Sequence, residues 1–438
     1  MQSNVKTQSI HAALWTLALP VMLSNISVPL LGLVDTAILG HLSDSRYLAA
    51  VAMGSSLLVM VMWSFSFLRM GTTALIARHY NQAIEVSGIL QSALLFAMTI
   101  GIGLIIVAPW LIEFMVGLIG AAADITPLTT EYLKIRFYFA PVTLINYVVI
   151  GYFIGKGLTR INLILLVSTN ILNASLNYVF VYKLNWLSAG VAWGSNFAEL
   201  FQLVLGIFFI QSTIKKSIVQ SSAWPSMRQR FKQFMNLNLQ LFIRTFLLLF
   251  AFAFFMAQGA QHSTALLSAN AILINLLMLM SNALDGFAVA SESMVGQSLA
   301  DKKYTRLKPI IKASGVWSLI TASLFTLLLA ISYDHIFALL TSQQDVIILL
   351  NTLSLWLIFL PLAGFASFWL DGIYVGMACA NQMKNSIVFS LVIIFLPLIY
   401  LFSFWEYHGL WLSMYGFLLA RAIWLLCQLP TQITKYAN

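Results

Sequence analysis

The sequence predicts an all-α polytopic membrane protein, with about twelve transmembrane helices in two pseudo-symmetric bundles of six. Three observations carry this reading. Hydrophobic residues make up 60% of the chain and charged residues only 8%, whereas an ordinary soluble domain is about 25% charged. Apolar runs of about 20 residues, the length needed to cross a bilayer, recur from end to end. The second half repeats the first at an offset of about 220 residues, and such internal repeats are an architecture of membrane carriers.

In chain order, the runs of the first half fall at 12–40, 48–72, 88–112, 135–155, 161–182 and 187–210. Those of the second half fall at 237–257, 266–291, 310–331, 346–375, 386–404 and 409–429. Pro20 and Pro29 lie in the first run, Pro141 in the fourth, Pro361 in the tenth and Pro397 in the eleventh. Proline is tolerated in a span because neighbouring helices can satisfy the carbonyl it frees, so each marks an expected kink. Between the sets lies the longest polar connector, QSTIKKSIVQSSAWPSMRQRFKQFMN. The expected organisation is therefore a first lobe at 1–210, a cytoplasmic linker at 211–236 and a second lobe at 237–438.

The repeat lays YLAAVAMGSSLLVMV over LLSANAILINLLMLM, and FAPVTLINYVVIGYFIGKG over FLPLAGFASFWLDGIYVGMA. Pro141 then meets Pro361 and Gly190 meets Gly409. Each half holds an even number of spans, so the two share one orientation and are parallel repeats about an axis along the membrane normal.

A net charge of +9 does not point to nucleic acid, because the basic residues mark topology instead. With a cytoplasmic N-terminus, sixteen of them fall in inward segments, including Lys6, Arg78, Lys156, Lys384 and the connector residues Lys215, Lys216, Arg228, Arg230 and Lys232. Four, Arg46, Lys134, Arg136 and Lys183, fall in outward loops. That asymmetry follows the positive-inside rule and places both termini in the cytoplasm. The N-terminus lacks the pattern of a cleavable signal, so the first helix is expected to stay. Cys379 and Cys427 have no metal or disulfide spacing and read as packing residues. No glycine-rich nucleotide loop, HExxH or nucleophile constellation is present, and the six histidines form no motif. No enzyme activity and no cofactor are expected, so energy must come from an ion gradient.

The stretch GLVDTAILGHL sets Asp35 inside the first span. A carboxylate at bilayer depth costs roughly 2.5 to 3.5 kcal/mol on insertion scales, which makes it a candidate functional residue. Burial without a cation disfavours its ionised form, so Asp35 is a candidate proton carrier. Ser24 lies eleven residues earlier, nearly three turns at 3.6 residues per turn, on almost the same face, with Asn25 beside it. Asn170, Asn173 and Asn177 form a polar stripe on the fifth run, and Ser195, Glu199 and Gln202 another on the sixth. Together these stripes are expected to surround Asp35 in a first-lobe cavity. The alternative for any single amide is interhelical hydrogen bonding, at about 0.6 kcal/mol per pair. In the second half, Arg244, Asp285, Glu292 and Asp371 are the charged candidates, against the simpler reading of an internally neutralised ion-pair network. Met22, Met53, Met60, Met256, Met278 and Met280 suit a cavity for varied greasy ligands, or ordinary packing.

Four segments resemble one family. GLVDTAILGHL, FLRMGTTALIARHYNQ, SANAILINLLMLMSNALDGFAVASESMVGQSLA and LDGIYVGMACANQMKNS are similar, in order and spacing, to runs of the multidrug and toxic compound extrusion (MATE) transporters, and within them of the DinF-like branch. The resemblance implies the MATE fold in a bacterial inner membrane, and antiport of lipophilic, mostly cationic compounds out of the cytoplasm against protons or sodium. A monomer is expected, with small-molecule substrates and the bilayer as its partners and no nucleic acid. The family's first-helix carboxylate matches Asp35. Its cation-site positions in the fifth and sixth helices match Asn173, Asn177 and Ser195, but Asn177 stands where a second carboxylate would be. That substitution favours proton over sodium coupling. Protonation of Asp35 would let the first helix bend at Pro20, where the missing N–H weakens the helix.

Three other readings compete. A lipid-linked oligosaccharide flippase shares the fold but needs a strongly cationic central cavity. A channel needs a selectivity filter, which the sequence does not display. An embedded enzyme lacks any motif.

Overall fold

The computed structural model describes residues 9–42, 44–119, 122–220 and 224–437. Among them the chain forms helices and connecting turns, with no strand. In order these are α1 (Ile10–Gly40), α2 (Ser45–Trp63), α3 (Phe67–Arg78), α4 (Ala83–Ile119), α5 (Thr126–Tyr138), α6 (Ala140–Gly155), α7 (Thr159–Tyr178) and α8 (Leu187–Gln220). The second half continues with α9 (Trp224–His262), α10 (Thr264–Ala300), α11 (Leu307–Leu340), α12 (Gln344–Thr352), α13 (Ser354–Gly376), α14 (Ala380–Phe389), α15 (Leu396–Leu401) and α16 (Glu406–Ala437). Eleven stretches of these helices are long and apolar enough to cross a membrane, and the pair α5 and α6 makes a twelfth. All twelve expected runs are thus helical. The outer surfaces remain apolar, as lipid requires: Leu339 is 86% exposed and Leu118 76%.

The prolines act locally. The fourth span bends by 53° between α5 and α6, and Pro141 opens α6 in its first turn, where its missing N–H costs nothing. Pro361 lies inside α13, and Pro397 opens α15. Pro20 lies buried within α1, which runs unbroken from Ile10 to Gly40. The side chains of Lys6, Pro29, Lys215, Lys216, Arg228 and Arg230 lie outside the described residues. The expected polar linker is helical on both sides of 221–223, because α8 continues to Gln220 and α9 begins at Trp224.

The repeat is visible in backbone detail. α7 runs into a π-helical turn at Val179–Lys183 and α14 into another at Ser390–Phe395. A Cβ on Gly151 of α6 would stand 2.6 Å from the Arg69 carbonyl oxygen of α3, and one on Gly372 of α13 would stand 2.1 Å from the Ala288 carbonyl oxygen of α10. The same bare contact thus lets a helix pass close against its neighbour in both halves. Small residues provide such approach in membranes, where association rests on packing.

The chain divides into two compact units, Leu23–Asn236 and Met1–Met22 with Leu237–Asn438. One cut falls inside the first helix, after Met22, and the other between Asn236 and Leu237. Side-chain packing explains this: Leu14 and Ala18 form a buried cluster with Phe287 and Ala290, joined by Trp15 and Trp317. Trp15 meets Phe287 and Trp317 edge-on, each at 5.1 Å between ring centroids. The core of that second unit gathers residues such as Phe255, Leu277, Leu357, Phe395, Trp411 and Phe417. Met280 belongs to it and Met256 packs on it, whereas Met60 is exposed. These methionines read as packing.

Candidate functional site

In the Leu23–Asn236 unit, helix periodicity puts Asn173 and Asn177 on one buried face of α7. Asn177 Nδ2 donates to Asp35 Oδ1 at 2.7 Å and to Asn173 Oδ1 at 2.9 Å. Asn173 Nδ2 donates in turn to Ser195 Oγ of α8 at 3.0 Å. The four residues expected to surround the coupling ion are therefore one bonded chain across three helices. Gly194 makes this possible, since a Cβ there would lie 2.0 Å from Asn177 Oδ1. Its legible signal is the small-residue pair Gly190 and Gly194 at GxxxG spacing.

α7 holds the first helix at two further levels. Asn170 Nδ2 donates to Ser27 Oγ at 2.9 Å, and Ser27 Oγ donates to the Ser24 carbonyl at 2.7 Å. Tyr182, carried by the π-helical turn after α7, donates to the Ile38 carbonyl at 2.7 Å. Single π turns often sit at functional places. Ser27 and Tyr182 escaped the sequence reading, Ser27 because it lies off the face of Ser24 and Asp35. Ser24 is fully buried and Asn25 half-buried; both have partners of their own.

Asp35 itself accepts one hydrogen bond, from Asn177, and forms no ion pair among the described residues. The other carboxylate of the expected cavity behaves differently. Glu199 turns to Arg136 of α5, whose Nη2 donates to Oε1 at 2.6 Å. Thr143 donates to Glu199 Oε2, and Asn146 Nδ2 to the Glu199 carbonyl at 2.9 Å. This corrects two expectations. Arg136 is buried within α5 and not in an outward loop, because the bend before α6 brings α5 inside. Glu199 does not reach Asp35, and Gln202, although buried, makes no bond to the network.

The side-chain oxygens of Asp35, Asn173, Asn177 and Ser195 are the expected ligands for a small cation here. In this arrangement Asn177 presents its Nδ2, a donor, to both Asp35 and Asn173. A cation between them would require Asn177 to offer Oδ1 instead, an oxygen that is buried and makes no hydrogen bond. The geometry is that of a hydrogen-bonded carboxylate.

In the second unit, Asp371 Oδ2 accepts from Arg244 and also from Arg421 Nη2, the latter at 2.8 Å. Arg421 is fully buried, its guanidinium 5.6 Å from the centroid of the Phe417 ring. Glu292 is buried on α10, with Asp285 half-buried two turns earlier. Asp371 is thus held by two arginines, as the ion-pair reading expected.

The comparisons with known proteins agree with this architecture. A family model described as MatE matches residues 20–179 and again 241–401, once in each half. The chain is 33% identical to DNA damage-inducible protein F of Escherichia coli K12, over 95% of this chain and 91% of that protein. It is 21% identical to a probable multidrug resistance protein NorM of Bacillus anthracis, over 96% and 95%. Among solved structures it is similar to the Vibrio cholerae MATE transporter VcmN in the bent form, with a TM-score of 0.86, 17% identity and 98% of each chain covered.

Proposed function

The chain belongs to the MATE family of multidrug efflux transporters, and from that premise we propose that it exports lipophilic, mostly cationic compounds in exchange for protons, with Asp35 as the proton carrier. The observation that carries this reading is the contrast in counterions. Glu199 and Asp371 are neutralised by arginine, whereas Asp35 has only the amide of Asn177. A half-buried carboxylate with no ion pair is the one whose charge is cheapest to remove by protonation.

The proton acts through the tie between α1 and α7. A hydrogen bond to a charged acceptor contributes about 1.5 to 3 kcal/mol, and one between neutral groups about 1. Protonating Asp35 therefore weakens its bond to Asn177 by about 0.5 to 2 kcal/mol. Pro20 removes the N–H that would bond the Thr16 carbonyl, and it stands two residues before the point at which α1 passes from one compact unit to the other. The first helix bends there once the Asp35 tie loosens, and the first-lobe cavity shrinks and releases its ligand. The membrane potential supplies about 2.3 kcal/mol per elementary charge per 100 mV, so the exchange runs on the pH gradient, the potential or both.

The proposed setting is the inner membrane, with both termini cytoplasmic. Removing the buried Arg136 from the outward set leaves Arg46, Lys134 and Lys183 there, which strengthens the inside bias.

The test is efflux of a fluorescent lipophilic cation from proteoliposomes under an imposed pH gradient and, separately, an imposed sodium gradient. Transport driven by pH alone, and lost in Asp35→Asn, is the expected result. Sodium-driven transport, or unchanged coupling in Asp35→Asn, would overturn the reading.

A further inference from the structure

One face of α5 points away from the Arg136–Glu199 pair. The helix buries Thr129, Tyr132, Leu133, Arg136 and Phe137, whereas Glu131, Lys134 and Tyr138, at three- and four-residue spacing, are exposed on the opposite side. Together with Thr130, Ile135 and Trp193 of α8 they line a groove of about 800 Å³, which is room for a ligand of several hundred daltons. Glu131 and Lys134 stand one turn apart, yet neither forms an ion pair or a hydrogen bond with the other or with any other described residue. The groove thus offers one free anion and one free cation side by side.

The groove opens onto apolar surface. Trp193 stacks on Phe197 at 5.7 Å and meets Phe139 edge-on at 6.0 Å between ring centroids. Beyond Phe197 the same stripe of α8 exposes Phe201, Val204 and Phe208, as a helix facing lipid does. The groove lies at the start of α8, which runs on to Gln220, so it is at the end of the unit remote from the connector. Passing from that end into the membrane, the order is carboxylate, ammonium, aromatic rings, apolar stripe. Lys134 is three residues deeper than Glu131, about 4.5 Å at 1.5 Å rise per residue.

We propose that this groove binds a zwitterionic aminophospholipid, in the outer leaflet on the topology given above. A phosphatidylethanolamine headgroup carries its ammonium at the outer end and its phosphate nearer the glycerol. Glu131 then receives the ammonium and Lys134 the phosphate. Tyr138 and Trp193 flank the glycerol region, the level at which amphipathic rings settle in a bilayer, and the α8 stripe takes an acyl chain. The order of the charges selects the lipid. A lipophilic cation drawn to Glu131 meets Lys134 one turn away, and an anionic lipid such as phosphatidylglycerol has no cation to give Glu131. Both charges are exposed, so each contact is weak by itself, and the selectivity comes from matching the two in sequence.

The test is native mass spectrometry of the full-length protein in detergent, titrated with equal amounts of phosphatidylethanolamine and phosphatidylglycerol of the same acyl chains. Wild type is expected to hold the ethanolamine lipid over the glycerol lipid about threefold, the size of one exposed ion pair. Glu131→Gln is expected to bring that ratio close to one, and Lys134→Gln to lower the binding of both lipids about threefold. Glu131→Lys combined with Lys134→Glu keeps the net charge but inverts the order, and is expected to erase the preference. All three variants change exposed positions and leave the buried face of α5 as it is. Equal binding of the two lipids by wild type, or a preference that survives Glu131→Gln or the inverted pair, would overturn the proposal. So would a lipophilic cation, tetraphenylphosphonium, that binds in a Glu131-dependent way where the ethanolamine lipid does not, which would make the groove a substrate subsite. Binding in detergent is independent of the orientation of the chain, so failure here is distinguishable from failure of the topology.

Discussion

Asp35 and Asp371 are both aspartates on membrane helices, one in each compact unit, and their surroundings differ in kind. Asp371 lies between Arg244 and Arg421, which meet on a single carboxylate oxygen. Asp35 meets one amide. Taking a carboxylate out of water costs several kcal/mol unless a cation and further hydrogen bonds repay it. Asp371 is repaid by ion pairing with both arginines. Asp35 has no such repayment among the described residues, and on the proposed reading that is why it can change its charge during a transport cycle. Depth in the membrane alone does not separate the two aspartates; their counterions do.

The largest effect that would sharpen this contrast is structural. Asp371→Asn removes the carboxylate that two buried guanidinium groups share, and breaking such a pair is expected to cost about 3 to 5 kcal/mol of stability. Thermal unfolding in detergent should show a pronounced drop, while Asp35→Asn, which strands no charge, should melt close to wild type. Equal stability of the two variants would break the comparison.

A smaller effect is expected at Gly194. A Cβ there would collide with Asn177 Oδ1 at 2.0 Å, and Gly194→Ala should cost about 1 to 3 kcal/mol, in the range of other overpacked sites. Because the displaced group is the donor to Asp35, pH-driven efflux should fall together with stability. Asn177→Asp tests the same site from the other side. A second carboxylate beside Asp35 should raise sodium affinity about tenfold, or about 1.4 kcal/mol, measured by calorimetry. The smallest effect belongs to Tyr182→Phe, which removes one of the three ties between α7 and the first helix. A loss of about 0.6 kcal/mol is expected, with pH coupling intact.

Much of the architecture was legible because the bilayer imposes it. Twelve apolar runs became helices, and the amide spacing on α7 placed Asn173 and Asn177 on one buried face with Asp35 and Ser195. What stayed hidden depended on contacts between distant segments. Arg136 sits at the edge of an apolar run, and only the 53° bend between α5 and α6 turns it from a loop residue into the partner of Glu199. Glu199 shares a helical stripe with Ser195, yet a stripe fixes a face and not what lies opposite. The assignment of α1's first half to the second unit rests on Trp15 meeting Phe287 and Trp317, residues some 270 to 300 positions apart that no local pattern connects. Arg421 lies in the last apolar run, fifty residues after Asp371, and only the fold pairs the two.

The central claim, that Asp35 carries the protons exchanged for substrate, is tested most directly by proton release in weakly buffered detergent solution on addition of a lipophilic cation. Wild type is expected to release protons on binding and Asp35→Asn to bind without release. Release from Asp35→Asn equal to that of wild type would contradict the claim and move the search for the coupling group to other carboxylates.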